Sequence, residues 1–261
     1  MHKFNHCMPL LRYCLASLFL LISSFCIGQT ISTDRPDQTE SATLVGLKSL
    51  QLESGILFSS VHEPFGNTVK QFVPSILFRY GLSKKIELRL YQEYETNRFE
   101  LQNQALSGFK NLQIGLKFLL FQKRESPTEI AIISHVIVPT GSKTIDQNSF
   151  GIINKLAISH QIGEQLNIGY NLGYDFHGKN ASKGTYAFAF GIKISDAFGM
   201  YAESYGEWEN IDTFSNSFDT GLTYLLGKNM QVDLSYGVGL NHSMQFVSTG
   251  LSWNLGQISK K

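Results

Sequence analysis

Four short turns in this chain share one pattern, and that pattern limits what the chain can fold into. An apolar residue is followed by three small or polar residues and then by an apolar–x–apolar pair. It reads Leu82-Ser-Lys-Lys-Ile86-Glu-Leu88, Ile162-Gly-Glu-Gln-Leu166-Asn-Ile168, Ile194-Ser-Asp-Ala-Phe198-Gly-Met200 and Leu226-Gly-Lys-Asn-Met230-Gln-Val232. The last three copies lie 32 residues apart, the length of two strands with one tight and one longer connection. Period-2 alternation flanks each copy. A chain built this way is a succession of hairpins, and closing them into a ring removes the exposed edges.

The alternation is clearest at 166–176, where Leu166, Ile168, Tyr170, Leu172, Tyr174 and Phe176 share one face and Asn167, Gly169, Asn171, Gly173 and Asp175 the other. The stretch 230–240 repeats it. The pattern predicts about twelve strands, near 49–60, 70–82, 86–96, 109–121, 129–139, 150–161, 166–177, 184–195, 198–208, 214–226, 230–241 and 245–256. The segment 198–208 alternates poorly. Pro74 lacks a ladder donor, so a bulge or a late strand start is expected there. Connections alternate in length: longer at 61–69, 97–108, 140–149, 178–183, 209–213 and 242–244, mostly short between. Long loops at one end and tight turns at the other mark an outer-membrane barrel, with the tight turns in the periplasm.

Residues 1–28 read as a secretory signal: Lys3 and Arg12 in a basic region, an apolar run from Leu15 to Ile22, then small residues up to Gly28. Lipidation at Cys26 is the weaker reading, because bulky Phe25 stands where a small residue is wanted. Cys7, Cys14 and Cys26 all lie in this segment, so the mature chain has no disulfide, thiolate metal site or cysteine nucleophile. Without Lys3 and Arg12 the 22 basic residues become 20, against 21 acidic ones, a balance that argues against nucleic acid as a partner. Later apolar runs are too short for a membrane helix. A soluble sandwich also alternates, but it would have to bury twelve strands of Phe, Tyr and Leu in one interior. Export, aromatic strand ends and loop asymmetry favour the membrane, with lipid as the partner of the apolar faces.

Opposite those faces lie Glu53, Arg79, Glu87, Arg89, Glu93, Glu95, Lys117, His135, Lys155, Asp175, Lys193, Asp219 and Asp233. A charge facing lipid at mid-depth costs ~2–4 kcal/mol, so these residues are expected to face a lumen. They either line a polar conduit or form internal ion pairs that stiffen the barrel, and with both signs present no ion preference follows. Catalytic patterns are wanting. His135, His160, His177 and His242 are scattered, no Gly-x-Ser-x-Gly elbow occurs, and His62-Glu63 has no second histidine for a zinc helix. The sequence therefore predicts no enzyme, no metal and no cofactor.

The mature N-terminus contains Thr33-Asp-Arg-Pro-Asp-Gln-Thr-Glu-Ser41, followed by Leu50-Gln-Leu-Glu-Ser-Gly55 and, at a later strand end, Val138-Pro-Thr-Gly-Ser142. These elements resemble a family of bacterial outer-membrane transporters named for the meta pathway of phenol degradation. The resemblance runs over most of the mature chain. It implies an all-β, antiparallel up-and-down barrel in the outer membrane of a Gram-negative bacterium, and little about substrate.

The expected organisation is thus a signal peptide at 1–28, a periplasmic lead-in or lumen plug at 29–47 and a barrel at 48–257. Asp34, Arg35, Asp37 and Glu40 precede the first strand. As a plug they would enter the lumen, Arg35 meeting Glu53 or Glu87 and Asp34 or Asp37 meeting Arg79 or Arg89, with Asp233 also on the lumen face. As a lead-in they would stay wet. The expected function is a channel or transporter for small molecules, aromatic or apolar ones among them. The alternative is a non-conducting structural or surface-binding barrel. The oligomeric state stays open.

Overall fold

The computed structural model describes residues 31–63, 68–122, 126–146, 149–178, 182–209 and 213–257. The expected signal peptide at 1–28, with Gln29 and Thr30, lies outside them. The strands are β1 Ser49–His62, β2 Thr68–Gly81, β3 Ile86–Phe99, β4 Gln104–Phe109, β5 Leu112–Gln122, β6 Thr128–Val138 and β7 Gly151–Ile162. They continue as β8 Leu166–Phe176, β9 Ser182–Lys193, β10 Phe198–Trp208, β11 Phe214–Leu225, β12 Met230–Gly239 and β13 Met244–Gln257. Apart from β4 and β5, which do not pair with each other, sequence neighbours pair antiparallel, and β1 pairs with β13, from Gln51↔Asn254 to Val61↔Met244, to close the ring. β4 and β5 pair with β3 one after the other, so they form a single barrel strand and the closed barrel has twelve.

The expected strand at 109–121 and loop at 97–108 are corrected here. β3 and β4 run on as a hairpin, from Tyr94↔Phe109 to Phe99↔Gln104, and turn at Asn103, whose φ is 48°. The extension is polar, with Thr96 bonded to Ser107 at 2.9 Å, so it carries no apolar alternation to betray it. The strand breaks at Lys110–Asn111. There the Gln92 amide donates to the Lys110 carbonyl (2.7 Å), and the Asn111 N–H donates to Asp146 (3.0 Å). Pro74 causes neither a bulge nor a late start. It pairs with Ile56 in register, and the ladder to β3 skips from Phe72↔Thr96 to Ser75↔Glu93 with no shift. The two residues skipped are Pro74, which lacks the donor, and its neighbour Val73.

Two of the four repeated turns use a left-handed residue, Gly163 (φ 64°) and Gly227 (φ 78°), and in the other two the Ser83 and Ser195 hydroxyls accept from the Lys85 and Phe198 N–H groups. Alternation along the strands sorts the faces. Leu234 is 51% exposed on the outside, while its neighbours Asp233 and Ser235 are 4% and 2% exposed on the inside. The outer wall carries Phe58, Phe78, Leu88, Leu172, Phe188, Phe218 and Leu251, all exposed. The largest fully buried side chains include Arg79, Lys117, Gln51, Glu53, Glu87, Glu203 and Asp219. Apolar outside and charged inside is the reverse of a soluble protein and the arrangement of a barrel in lipid.

Candidate functional site

Residues 31–48 run inside the barrel, without a strand's ladder. Their backbone groups are satisfied by wall side chains, as buried amides require. The Asp34 N–H donates to Glu53 (3.0 Å), Gln38 to Glu203 (2.7 Å), Ala42 to Ser159 (3.1 Å) and Val45 to Glu87 (2.9 Å). Asn171 grips Glu40 as a strand partner would, accepting from its N–H at 2.7 Å and donating to its carbonyl at 2.9 Å. Ala42 packs against Ala131, Ile133 and Ala157. The Ile31 N–H donates to the Lys228 carbonyl in a tight turn, which places the start of the segment at the tight-turn end. The segment leaves through Lys48 (φ 59°), whose N–H donates to the Gly81 carbonyl, and turns directly into β1.

On the side formed by β1, β2, β3, β5 and β7 the segment meets a cationic wall. One Asp34 oxygen lies 2.6 Å from Arg89 Nη1, 2.9 Å from Lys117 Nζ and 3.3 Å from Arg79 Nη1. Glu40 lies 2.6 Å from Arg89 Nη2 and 2.8 Å from Lys155 Nζ. Glu53 and Glu87 complete the network, each 2.8 Å from Arg79. Lys117 and Arg79 also donate to the Ser41 and Thr43 carbonyls, at 2.8 and 3.0 Å. Burial alone would raise the Asp34 carboxyl, but Arg79, Lys117 and Arg89 outweigh it and hold the group well below the usual carboxylate range. Burial opposes Glu40 likewise, and Lys155 and Arg89 hold it low.

The opposite side, β10 to β13, is acidic. Arg35 meets Asp233 here, at 3.0 Å from Nη2 to Oδ1 and 3.3 Å from Nε to Oδ2, and donates to Ser248 at 3.1 Å. Its guanidinium lies flat over Gly55 and Gly250, where a Cβ would come within 2.2 and 2.3 Å of it. So Arg35 meets neither Glu53 nor Glu87, and Asp37 does not join Asp34 at the arginines. Burial, together with the carboxylates of Glu203 and Asp219, pushes the Asp37 carboxyl well above the usual range. Glu203 was missing from the lumen residues read from the sequence. Its strand β10 turns Tyr201 inward as well, which spoils the alternation, and only the pairing Glu203↔Asp219 exposes its position.

Of the remaining charges, Glu93 and Glu95 lie near Lys110 (3.4 and 3.6 Å) towards the loop end. Lys193 is exposed at a tight turn and pairs with Asp196 at 2.7 Å, away from the segment. His135 accepts from Arg89 Nε at 3.0 Å and contacts Gln113 at 3.0 Å, so it is engaged within the cationic wall.

Two lumen cavities flank the segment. One of about 480 Å³ opens towards the loop end, past Glu93, Glu95 and Lys110. The other, of about 750 Å³, reaches the tight turns at Glu164, Asp196 and Lys228. Arg35, Pro36 and Asp37 line both, so these three residues form the partition between them.

The family described as "Putative MetA-pathway of phenol degradation" matches residues 33–255. No curated protein matches the chain. Among solved structures, an outer-membrane channel from Pseudomonas putida F1 is similar, with a TM-score of 0.69 and 10% identity over 86% of this chain and 100% of that one. The NanC porin gives a TM-score of 0.55 at 11% identity, over 78% of this chain and 100% of its own. The KdgM porin gives 0.52 at 11% identity, over 76% and 98%. The fold is therefore that of outer-membrane channels and porins.

Proposed function

The chain belongs to this family, and from that premise we propose that it is an outer-membrane channel for small molecules whose lumen is closed by its own N-terminal segment. The observation that carries the reading is the partition. Two polar cavities meet from opposite ends, and among the described residues only Arg35, Pro36 and Asp37 line both. Moving one short stretch would join them into a single path. A barrel of twelve strands is narrow, so the solutes are small and polymers are excluded. The family's description, with its reference to phenol degradation, fits a small aromatic compound bearing a polar group. Such a solute can use a wall of this mixed character.

In this reading Asp34, Arg35, Asp37 and Glu40 are the gate, and Glu53, Arg79, Glu87, Arg89 and Asp233 are its seat. The ion-paired seat favours a gate that is closed at rest. It also supports the second reading, a permanently sealed structural barrel. Single-channel recording separates the two. The mature protein should conduct rarely and in small steps, and a form lacking residues 30–40 should conduct more and close less often. No conductance in either form would leave the sealed barrel. Uptake of small aromatic and aliphatic compounds, in cells with and without the protein, would then sort the solutes.

A further inference from the structure

The acidic side of the partition contains more negative charge than its neighbours compensate. Glu203 and Asp219 are cross-strand partners, 1% and 0% exposed, and Asp37 lies beside them in the segment, since Gln38 and Thr39, the two residues after it, both donate to Glu203. Among the described residues, none of the three has an ion-pair partner. Glu203 is partly satisfied, accepting from the Gln38 N–H at 2.7 Å and from the Thr39 hydroxyl. Asp219 is not, since neither of its carboxylate oxygens has a hydrogen-bond partner. Two neutral groups beside it are also left without partners, the Tyr201 hydroxyl and the Ser235 hydroxyl, each more than nine-tenths buried. Their positions converge. The Tyr201 ring and Ser235 Cβ both cover Gly221, the cross-strand partner of both, which shares the inward face of β11 with Asp219 two residues earlier. Carboxylates packed together without a cation, beside unfilled hydroxyl oxygens, are a costly arrangement that a positive ligand would relieve.

We propose that this recess, formed by Asp37, Glu203 and Asp219 with the Tyr201 and Ser235 hydroxyls, binds a monovalent cation that joins the segment to the acidic wall. Among the described residues no three acidic or histidine side chains stand close enough to ligate one metal ion together. The occupant is therefore a loosely held ion of the size of a hydrated alkali cation or the ammonium head of a small amine, and not a tightly ligated divalent metal. Asp37 and Tyr201 line the larger cavity, which gives the cation its way in from the tight-turn end. The site also sets a preference for the path. The cationic wall is neutralised by Asp34 and Glu40, whereas the acidic wall turns carboxyl oxygens without an ion-pair partner towards the partition, so cations should pass more readily than anions. This last step rests on the channel reading, but the binding site does not.

The test is thermal unfolding of the full mature protein in potassium, methylammonium or N-methyl-D-glucamine chloride at equal ionic strength. The midpoint should be higher in potassium or methylammonium than in the bulky cation, and the better of the two identifies the occupant. Asp37→Asn should lose that difference while remaining folded, since Asp37 lies outside every strand, and Asp219→Asn should lose it as well. Equal midpoints in all three salts, or an undiminished difference in both variants, would overturn the site. Reversal potentials in a potassium chloride gradient add the second arm. The wild type should favour potassium, and Asp37→Asn should bring the ratio towards one. Conductance that favours chloride, or a potassium preference unaltered by Asp37→Asn, would remove the proposed selectivity.

Discussion

The two sides of the lumen treat neighbouring residues of one segment in opposite ways. Asp34 and Asp37 are three positions apart and chemically identical. The first sits where Arg79, Arg89 and Lys117 converge, so its charge is held. The second faces Glu203 and Asp219, so its charge is resisted. The barrel as a whole is nearly neutral, yet its lumen is divided into a cationic wall and an acidic one. Net charge says nothing about such a division. The ring of strands creates it by placing β2, β3, β5 and β7 across from β10, β11 and β12.

The contrast breaks most visibly at Asp34. Asp34→Ala leaves three buried cations sharing fewer carboxylates. It should cost about 3–5 kcal/mol, the usual penalty for removing one partner of a buried pair. Reversible unfolding in lipid should record the loss, and single-channel recording should show a path open more of the time. A loss below 1 kcal/mol would mean that the segment is not seated as described.

The outer wall supplies the control. Leu234→Arg places a charge on the lipid face and should cost ~2–4 kcal/mol if the position lies near the midplane. Unlike Asp34→Ala, it should leave the conductance of those barrels that do fold unaltered.

Asp37→Asn should act in the other direction. In the bulky-cation salt it removes like-charge repulsion, and should be neutral or stabilising by about 1 kcal/mol, the size of two unit charges 4 Å apart in water. Destabilisation matching that of Asp34→Ala would erase the distinction between the walls.

Acid separates the same two residues. Asp34 and Glu40 have lowered folded values, so their contribution is complete above the ordinary carboxylate range and fades as the pH falls through and below it. Asp37 has a raised folded value, so its contribution is complete below the ordinary range and is lost as the pH rises through the folded value. Stability measured against pH should therefore rise on mild acidification and fall at stronger acid. Asp37→Asn should diminish the rise and keep the fall.

The smallest effect is expected at Gly250→Ala. The new Cβ would meet the Arg35 guanidinium, the far end of a flexible side chain, so the stability cost should stay below about 1 kcal/mol. Loosening Arg35 from Asp233 should still shorten the closed times.

Much of this barrel was legible in the sequence, because period-2 alternation and a repeated turn leave little freedom. β8 and β12 could be read directly, and the repeated turn even located β10. The β3–β4 extension escaped because it stands outside the apolar band, where nothing selects for alternation. Within the lumen, Asp34, Glu40, Arg79 and Arg89 could be recognised as charges that must avoid lipid. The meeting of Asp34 with Arg79 and Arg89 could be anticipated, but the partners of Arg35 and Asp37 could not, since they depend on the path of a segment that has no period at all. Arg35 shows the difficulty: it settles beside Asp233, 198 positions away, because two glycines leave a flat surface there. Glu203 shows the other limit, where inward-facing tyrosines conceal a strand's polar side.

The junction at Lys48 has a consequence for biogenesis. The lumen segment continues without a linker into β1, and β1 and β13 are the strands whose pairing completes the cylinder. Arg35 fastens onto β12 and β13, while the amide of Asp34 holds β1 through Glu53. The segment thus spans the suture between the chain's first and last strands. The final pairs between β1 and β13 therefore form over a segment tied to both sides of the join, and its charges act as a clasp across it.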